Sequence, residues 1–502
     1  MARVTLIDPR GWQGAATGYR PSPNVGIAYL VSALRKSGHD VFVIDLNNES
    51  LNNEDVLRRI NEYAPSLLGF SAKTATIKDA RILAAQIKKL KPDIPIVLGG
   101  PHTLFAWNHL IEDPFFDVVF VGEGEKILSE IVLSLTNGHS IDNFPGVITK
   151  GSTDVDPCLS RPFLSPSELE FAPFPEYDLF PKNVQQYIRK GYPLVTSRGC
   201  VYKCTYCSVP EISGNRVRKR SPDNIIEELR WARMKYDILG FEILDDVFNI
   251  DMDRCKQFCQ ALIRANLQLK WSCPNGLRAD RVDSELAELM QESGCQNVML
   301  GIESADPNVM KGVSKGESLM DIEKGIRIFQ RAGIDVGGYF IIGLPGDSLE
   351  SQKKSVEFAK RMGINAHFNM LIPYPGTELW EWAKKNAHFL QDIERGLHFA
   401  DDSEKLNIVF ETVDFSAVLR KKAYEMTHTL LRRFDMLIPR SLPRREYYKR
   451  LFRLLWNYDR SAIPGYGLRL AKNKLYDLGR RLDNFLKKVI ARNRNDSHHQ
   501  SA

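Results

Sequence analysis

The sequence predicts an α/β protein made of two successive strand–helix systems. A doubly wound (Rossmann-like) sheet is followed by a partial (β/α)6 barrel and then by a mainly helical, basic C-terminal region. Three observations carry this reading. Strand-like and helix-like segments alternate cleanly up to residue 140, a proline-rich stretch breaks the rhythm, and six further strand–helix units begin at Pro193. A chain of 502 residues, at about 150 per domain, leaves room for two to four domains. The expected limits are 1–140, 141–190, 191–390 and 391–502.

In the first system, short β-branched runs at 4–8, 41–45, 67–71, 94–98 and 117–121 read as strands. Between them, 25–36, 54–63, 77–90, 103–111 and 125–135 carry helical periodicity. Short connections make the sheet parallel, and ligands of such sheets sit at the carboxyl ends of the strands. Those ends hold Asp8-Pro9-Arg10-Gly11, Asp45-Leu46-Asn47, Ser71-Ala72-Lys73-Thr74, Gly99-Gly100-Pro101-His102 and Gly122-Glu123-Gly124-Glu125, where glycines permit close approach to the backbone. Pro157, Pro162, Pro166, Pro173, Pro175 and Pro181 then punctuate a stretch read as a wrapping linker. In the second system the strands are expected at 193–196, 241–244, 269–272, 297–301, 336–342 and 367–372. The helices are expected at 223–234, 252–265, 284–292, 320–332 and 349–362. Six units fall short of the eight of a closed barrel, and active groups belong on the loops after its strands.

Composition is ordinary, with 43% hydrophobic and 26% charged residues, which excludes global disorder and collagen-like repeats. No apolar run approaches the roughly 18–20 residues of a membrane span. The start, MARVTLIDPRG, does not read as a signal peptide, and eight cysteines, three clustered and five scattered, do not make a disulfide scaffold, so a reducing cytoplasm is expected. The net charge of +6 is concentrated from Arg432 onward, which implies an anionic neighbour.

The strongest chemical signal is Cys200-Val-Tyr-Lys-Cys204-Thr-Tyr-Cys207, directly after the first barrel strand. Thiolates spaced this closely ligate either an iron–sulfur cluster or a structural zinc. Zinc wants a fourth ligand, and the next candidates downstream, Cys255 and Cys259, are distant. Three thiolates on a four-iron cluster leave one iron open to an external molecule. Cys255 and Cys259, at i and i+4 on one helix, and Cys273 beside a strand read as ordinary buried thiols.

At these residues the chain resembles the radical S-adenosylmethionine (SAM) superfamily, whose loop carries an aromatic before the last cysteine, here Tyr206. The resemblance implies a [4Fe-4S] cluster on Cys200, Cys204 and Cys207 whose open iron binds SAM. It also implies reductive cleavage to methionine and a 5′-deoxyadenosyl radical. Further barrel segments resemble the family's SAM contacts in order. Asp245 and Asp246 end the second strand, where the family's commoner Gly-Gly-Glu is replaced. Arg278 follows the third strand, Glu303 and Ser304 end the fourth, and Gly343 lies in the adenine-facing fifth; Pro373-Tyr374-Pro375-Gly376-Thr377 follows the sixth. The N-terminal half resembles the cobalamin (B12)-binding domain of one large branch, through 23–30, 96–102 and 121–125. This implies cobalamin near Gly99, Gly100, Gly122 and Glu123. The histidine that many such domains offer cobalt is absent from Asp8-Pro9-Arg10-Gly11-Trp12-Gln13-Gly14. His102 reads equally as facing the corrin or as starting a helix.

The resemblance therefore implies an oxygen-sensitive enzyme with an N-terminal B12-binding-type domain, a radical SAM barrel, and an electron donor such as flavodoxin or ferredoxin. Methylation of an unactivated carbon of a small molecule, with hydrophobic and lipid ones among the candidates, is the first expectation. Oxidative ring closure or carbon–carbon coupling is the second. A sensor protein ranks far below, and a transfer-RNA methylthiolation role is disfavoured because no cysteine precedes Cys158. Tyr339, His367, Asn369 and Tyr374 read equally as substrate contacts and as structural side chains. Cations interleave with aromatics at 447–456, which suits a helix docked on the barrel with peripheral membrane contact ahead of a plain cap, and nucleic acid last.

Overall fold

The computed structural model describes residues 1–11, 22–151, 157–396 and 408–432. The basic C-terminal segment beyond residue 432 and Trp12-Gln13-Gly14 lie outside the described residues.

The N-terminal system runs β1 (Arg3–Asp8), α1 (Val25–Lys36), β2 (Asp40–Asp45), α2 (Asn53–Tyr63), β3 (Leu67–Ser71), α3 (Ile77–Leu90), β4 (Ile96–Gly99), α4 (Thr103–Leu110), β5 (Val118–Phe120), α5 (Leu128–Thr136) and β6 (Val147–Thr149). The strand order is β2-β1-β3-β4-β5-β6, parallel except for β6, which pairs antiparallel with β5. Helices cover both faces, so the strands are nearly continuous apolar runs. The order reverses between β1 and β3, which opens a crevice at their carboxyl ends.

The stretch expected to be irregular holds β6 and three helices, α6 (Pro157–Ser160), α7 (Pro166–Glu170) and α8 (Lys182–Lys190). Three of its six prolines, Pro157, Pro166 and Pro181, stand at helix starts rather than helix ends. Pro166 occupies the first turn of α7 behind a Ser165–Glu168 capping box, and Pro181 caps α8.

The barrel comprises β7 (Tyr192–Leu194), the pair β8 (Ser197–Arg198) and β9 (Arg218–Lys219) with α9 (Val209–Ser213) between them, α10 (Pro222–Tyr236), β10 (Gly240–Ile243), α11 (Met252–Ala265), β11 (Lys270–Leu277), α12 (Ser284–Glu292), β12 (Cys295–Glu303), α13 (Pro307–Lys311), α14 (Leu319–Arg331), β13 (Asp335–Ile342), α15 (Leu349–Met362), β14 (Asn365–Met370), α16 (Glu378–Asn386) and, after a short hairpin, α17 (Ala417–Arg432). The sheet order β7-β10-β11-β12-β13-β14 is fully parallel, and β7 does not pair with β14, so the barrel is open. Its outer face is a continuous core in which Phe241 stacks on Trp271 at 5.7 Å. Strand β11 runs to Leu277, past the expected end at residue 272. Pro274 and Gly276 look like terminators, but the register shifts between Cys273 and Leu277 accommodate them.

Candidate active site

The cysteine loop leaves β8 and returns through α9 to β9, which pairs with β8 at Ser197↔Lys219 and Arg198↔Arg218. Gly199 turns the chain with φ +92°, and a Cβ there would lie 2.2 Å from the Arg216 carbonyl, so the turn requires glycine. The Gly199 amide donates to Asp246 (2.8 Å), and the Cys207 amide donates to the Cys204 carbonyl (3.0 Å). Burial pushes all three thiols up, Cys207 to about 12, and repulsion from neighbouring thiolates adds to it at Cys204 and Cys207. The three side chains therefore share one electrostatic environment. Among the described residues no three His, Cys, Asp or Glu side chains converge as ligands of a single ion.

A buried charge network adjoins this loop. Arg278 lies 3.8 Å over the Tyr202 ring, donates twice to Asp280 (2.9 Å each) and once to the Lys315 carbonyl (2.8 Å). The Lys315 ammonium donates to Glu303 (2.8 Å) and pairs with Glu317 at 3.3 Å. Glu303 adopts φ +65° at the end of β12. The Tyr206 hydroxyl hydrogen-bonds Glu303, and burial followed by that carboxylate holds the phenol well above its usual range. Sequence reasoning missed Lys315, Glu317 and Tyr202. Lys315 and Glu317 sit in a loop without periodicity, and only the fold brings their charges beneath the cysteines.

The expected SAM contacts thus divide. Cys200, Cys204, Cys207, Tyr206, Asp246, Arg278 and Glu303 share one neighbourhood. Asp245 is 1% exposed and spends its oxygens on the Thr196 amide (2.6 Å), the Thr196 hydroxyl and the Ser197 hydroxyl, so it fixes the loop base. The buried Ser304 hydroxyl accepts the Asp306 amide (3.1 Å) and turns the chain into α13. Gly343 has φ +105°, donates its amide to Asp347 (2.7 Å) and leaves room for the Arg420 guanidinium from α17, which a Cβ would meet at 2.2 Å.

At the N-terminal sheet edge, glycine serves chain packing more than ligand approach. A Cβ on Gly100 would meet the Ala72 carbonyl at 2.5 Å, and one on Gly122 would meet Pro162 at 2.6 Å. Gly99 has no neighbour closer than 3.9 Å to such an atom. Glu123 accepts from Arg218 at 2.7 and 2.8 Å and from the Leu164 amide at 2.6 Å. The crevice between β1 and β3 presents Asp8, held by Asn24 (2.9 Å) and Asn47 (2.7 Å), with Ser71 opposite. His102 does not start α4 with a side-chain cap. Its Nε2 donates to the Glu394 carbonyl (3.1 Å), its Nδ1 therefore accepts from Thr74 (3.2 Å), and burial lowers its pKa to about 4. Both ring nitrogens are taken, so His102 offers cobalt no ligand. The crevice thus offers the side chains of Asp8, Asn24, Asn47 and Ser71 to a ligand.

Residues after strands of the first sheet meet residues after strands of the second. Phe105 stacks on Tyr374 at 5.8 Å, Arg198 pairs with Glu125 (2.7 Å) and Glu123 (3.2 Å), and Arg218 pairs with Glu123. The two carboxyl edges therefore face each other across one seam.

Comparison with known proteins agrees with this geometry. Residues 14–132 match the B12 binding domain and residues 194–359 match the Radical SAM superfamily. An uncharacterized methyltransferase of Pyrococcus horikoshii is 32% identical over 404 residues, 80% of this chain and 86% of that protein. An anaerobic magnesium-protoporphyrin IX monomethyl ester cyclase of Rubrivivax gelatinosus is 24% identical, covering 86% of this chain and 77% of its own length. The radical SAM methyltransferase TsrM of Kitasatospora setae, solved with cobalamin and a [4Fe-4S] cluster, superposes with a TM-score of 0.68 at 20% identity, over 86% of this chain and 92% of that one. The chain belongs to the radical SAM superfamily, in the branch that carries a B12-binding domain ahead of the barrel.

Proposed function

We propose that the protein methylates an unactivated carbon of a small molecule. The observation that supports this is the shared seam, where Phe105, Glu123 and Glu125 of the first sheet's strand-end segments meet Arg198, Arg218 and Tyr374 of the barrel. Bound there, an iron–sulfur cluster supplies the electron that cleaves SAM, and cobalamin supplies a methyl carrier.

The chain's own residues bind and orient. Cys200, Cys204 and Cys207 hold the cluster, and their raised thiol pKa values mean that binding releases protons. Arg278 and Lys315 place cations beside that site, balanced by Glu303 and Glu317, while Asp246 holds the loop by the Gly199 amide. Tyr206 backs Glu303 in the SAM pocket, and Gly343 shapes the end of β13 by admitting Arg420. Residues 1–140 carry cobalamin, 191–390 the cluster and SAM, and 141–190 join them. A flavodoxin or ferredoxin delivers the electron in the cytoplasm. No helix among the described residues is long and apolar enough to cross a membrane, and membrane contact would come from the basic C-terminal region.

Anaerobic reconstitution with hydroxocobalamin, followed by metal and product analysis, tests this reading. Cobalt bound with iron, and S-adenosylhomocysteine formed beside 5′-deoxyadenosine, is the expected result. 5′-Deoxyadenosine without S-adenosylhomocysteine would favour ring closure, the second reading, which the cyclase relative supports.

A further inference from the structure

The inner face of the barrel differs chemically from the outer one. On the outer face Phe241, Trp271, Val298, Phe340 and Phe368 are buried against helices. Strand side chains alternate between faces, so the intervening positions point into the lumen. Alongside the apolar Met299 and Ile341, these hold Glu242 in β10, Asn297 in β12, Tyr339 in β13, and Asn365, His367 and Asn369 in β14. The pairing Gly301↔Tyr339↔His367 sets Tyr339 and His367 side by side, with rings 5.8 Å apart. A Cβ on Gly337 would strike Met299, which confirms that these positions share the lumen side.

The fold gives four of these side chains one bond each and leaves two without one. Asn297, His367 and Asn369 are exposed, and Glu242, Tyr339 and Asn365 are half-buried. Glu242 accepts the Tyr187 hydroxyl (2.5 Å), Tyr339 donates to the Pro274 carbonyl (2.6 Å), and the His367 ring lies 3.4 Å from the Asn365 amide. The side chains of Asn297 and Asn369 have no hydrogen-bond partner among the described residues. A concave surface with a carboxylate, an imidazole and several amides is wet when empty. An apolar ring system entering it would strip that water and leave polar groups unpaired. A molecule carrying hydroxyl, amide or amine groups would replace the water bond for bond.

We infer that the barrel takes a water-soluble substrate dense in hydrogen-bonding groups, with Glu242 receiving an amine or hydroxyl donor, and not a lipid or polycyclic hydrocarbon. This rests on the radical SAM reading above. The test uses the reconstituted full chain with SAM and dithionite. It compares the water-soluble small-molecule fraction of a bacterial lysate with the chloroform-soluble fraction presented in phosphatidylcholine vesicles. 5′-Deoxyadenosine release and the melting temperature of the loaded protein are both read. The aqueous fraction is expected to raise release about tenfold or more and to raise the melting temperature, and the chloroform fraction to do neither. Glu242→Gln and Asn369→Leu are each expected to raise the half-stimulating concentration of aqueous fraction about tenfold. Stimulation by the chloroform fraction, or by neither fraction while basal SAM cleavage persists, overturns the substrate class. Absence of 5′-deoxyadenosine under every condition overturns the radical SAM reading beneath it.

Discussion

Replacing Glu123 by glutamine removes the carboxylate shared by Arg198 and Arg218 across the seam between the two sheets. Glu123 accepts both ends of the Arg218 fork, at 2.7 and 2.8 Å, and lies 3.2 Å from Arg198. The side chains are 11%, 9% and 14% exposed, respectively, so solvent screens them poorly. Burial by itself would raise the Glu123 pKa, yet the Arg218 hydrogen bonds and the two guanidinium charges hold it below the usual carboxylate range, so the group is ionised at neutral pH. An exposed pair is worth about 0–1 kcal/mol, whereas stripping one partner from a buried pair costs about 3–5 kcal/mol. Arg218 also donates to the Leu164 and Ser213 carbonyls at 2.8 Å each, which partly compensates it. Glu123→Gln and Arg218→Met are each expected near the lower end, at about 3 kcal/mol. The double replacement Glu123→Gln with Arg218→Met is expected to cost clearly less than the sum of the two single losses, because the second removal leaves no new charge unpaired while Arg198 keeps Glu125. Urea unfolding followed by circular dichroism, with unchanged slope, measures all three. Single losses under about 1 kcal/mol, or a double loss equal to their sum, would refute the reasoning.

Cys204→Ala is expected to reduce iron after anaerobic reconstitution from about four per chain to below one, while Cys255→Ala and Cys273→Ala retain iron and only loosen the core. His102→Gln tests the pH dependence of the seam. The folded pKa of His102, about 4, lies below its ordinary 6.5, so its neutral form stabilises fully above pH 6.5 and that contribution shrinks as the pH falls toward 4. The stability difference between parent and variant should therefore narrow by roughly 3 kcal/mol from pH 7 to pH 4, read by urea unfolding at each pH. A difference that does not change with pH would refute it. Gly343→Ala should cost roughly 1–3 kcal/mol, because alanine resists a positive φ and its Cβ meets Arg420. SAM affinity by equilibrium dialysis should fall about tenfold with iron content unchanged.

Local pattern by itself determined the element order, the open six-stranded barrel and the cysteine loop. Helices such as α1, α3, α11, α12 and α15 span the same residues in the sequence reading and in the structure, because apolar periodicity and end residues are local properties. The C-x3-C-x2-C spacing is equally local. The sequence misread the 141–190 stretch because proline is both a helix breaker and a first-turn residue, and only the chain's path distinguishes the two roles. Tertiary structure alone decided the rest. Asp245 and Asp246 are neighbours in sequence, yet one braces the Thr196–Ser197 turn and the other holds the cysteine loop. Gly100 and Gly122 looked like ligand glycines, but their missing Cβ atoms admit Ala72 and Pro162. Lys315 and Glu317 gained a role only when folding buried their charges together below Cys204. Burial and pairing energies depend on what surrounds a group, and residues distant in sequence supply those surroundings.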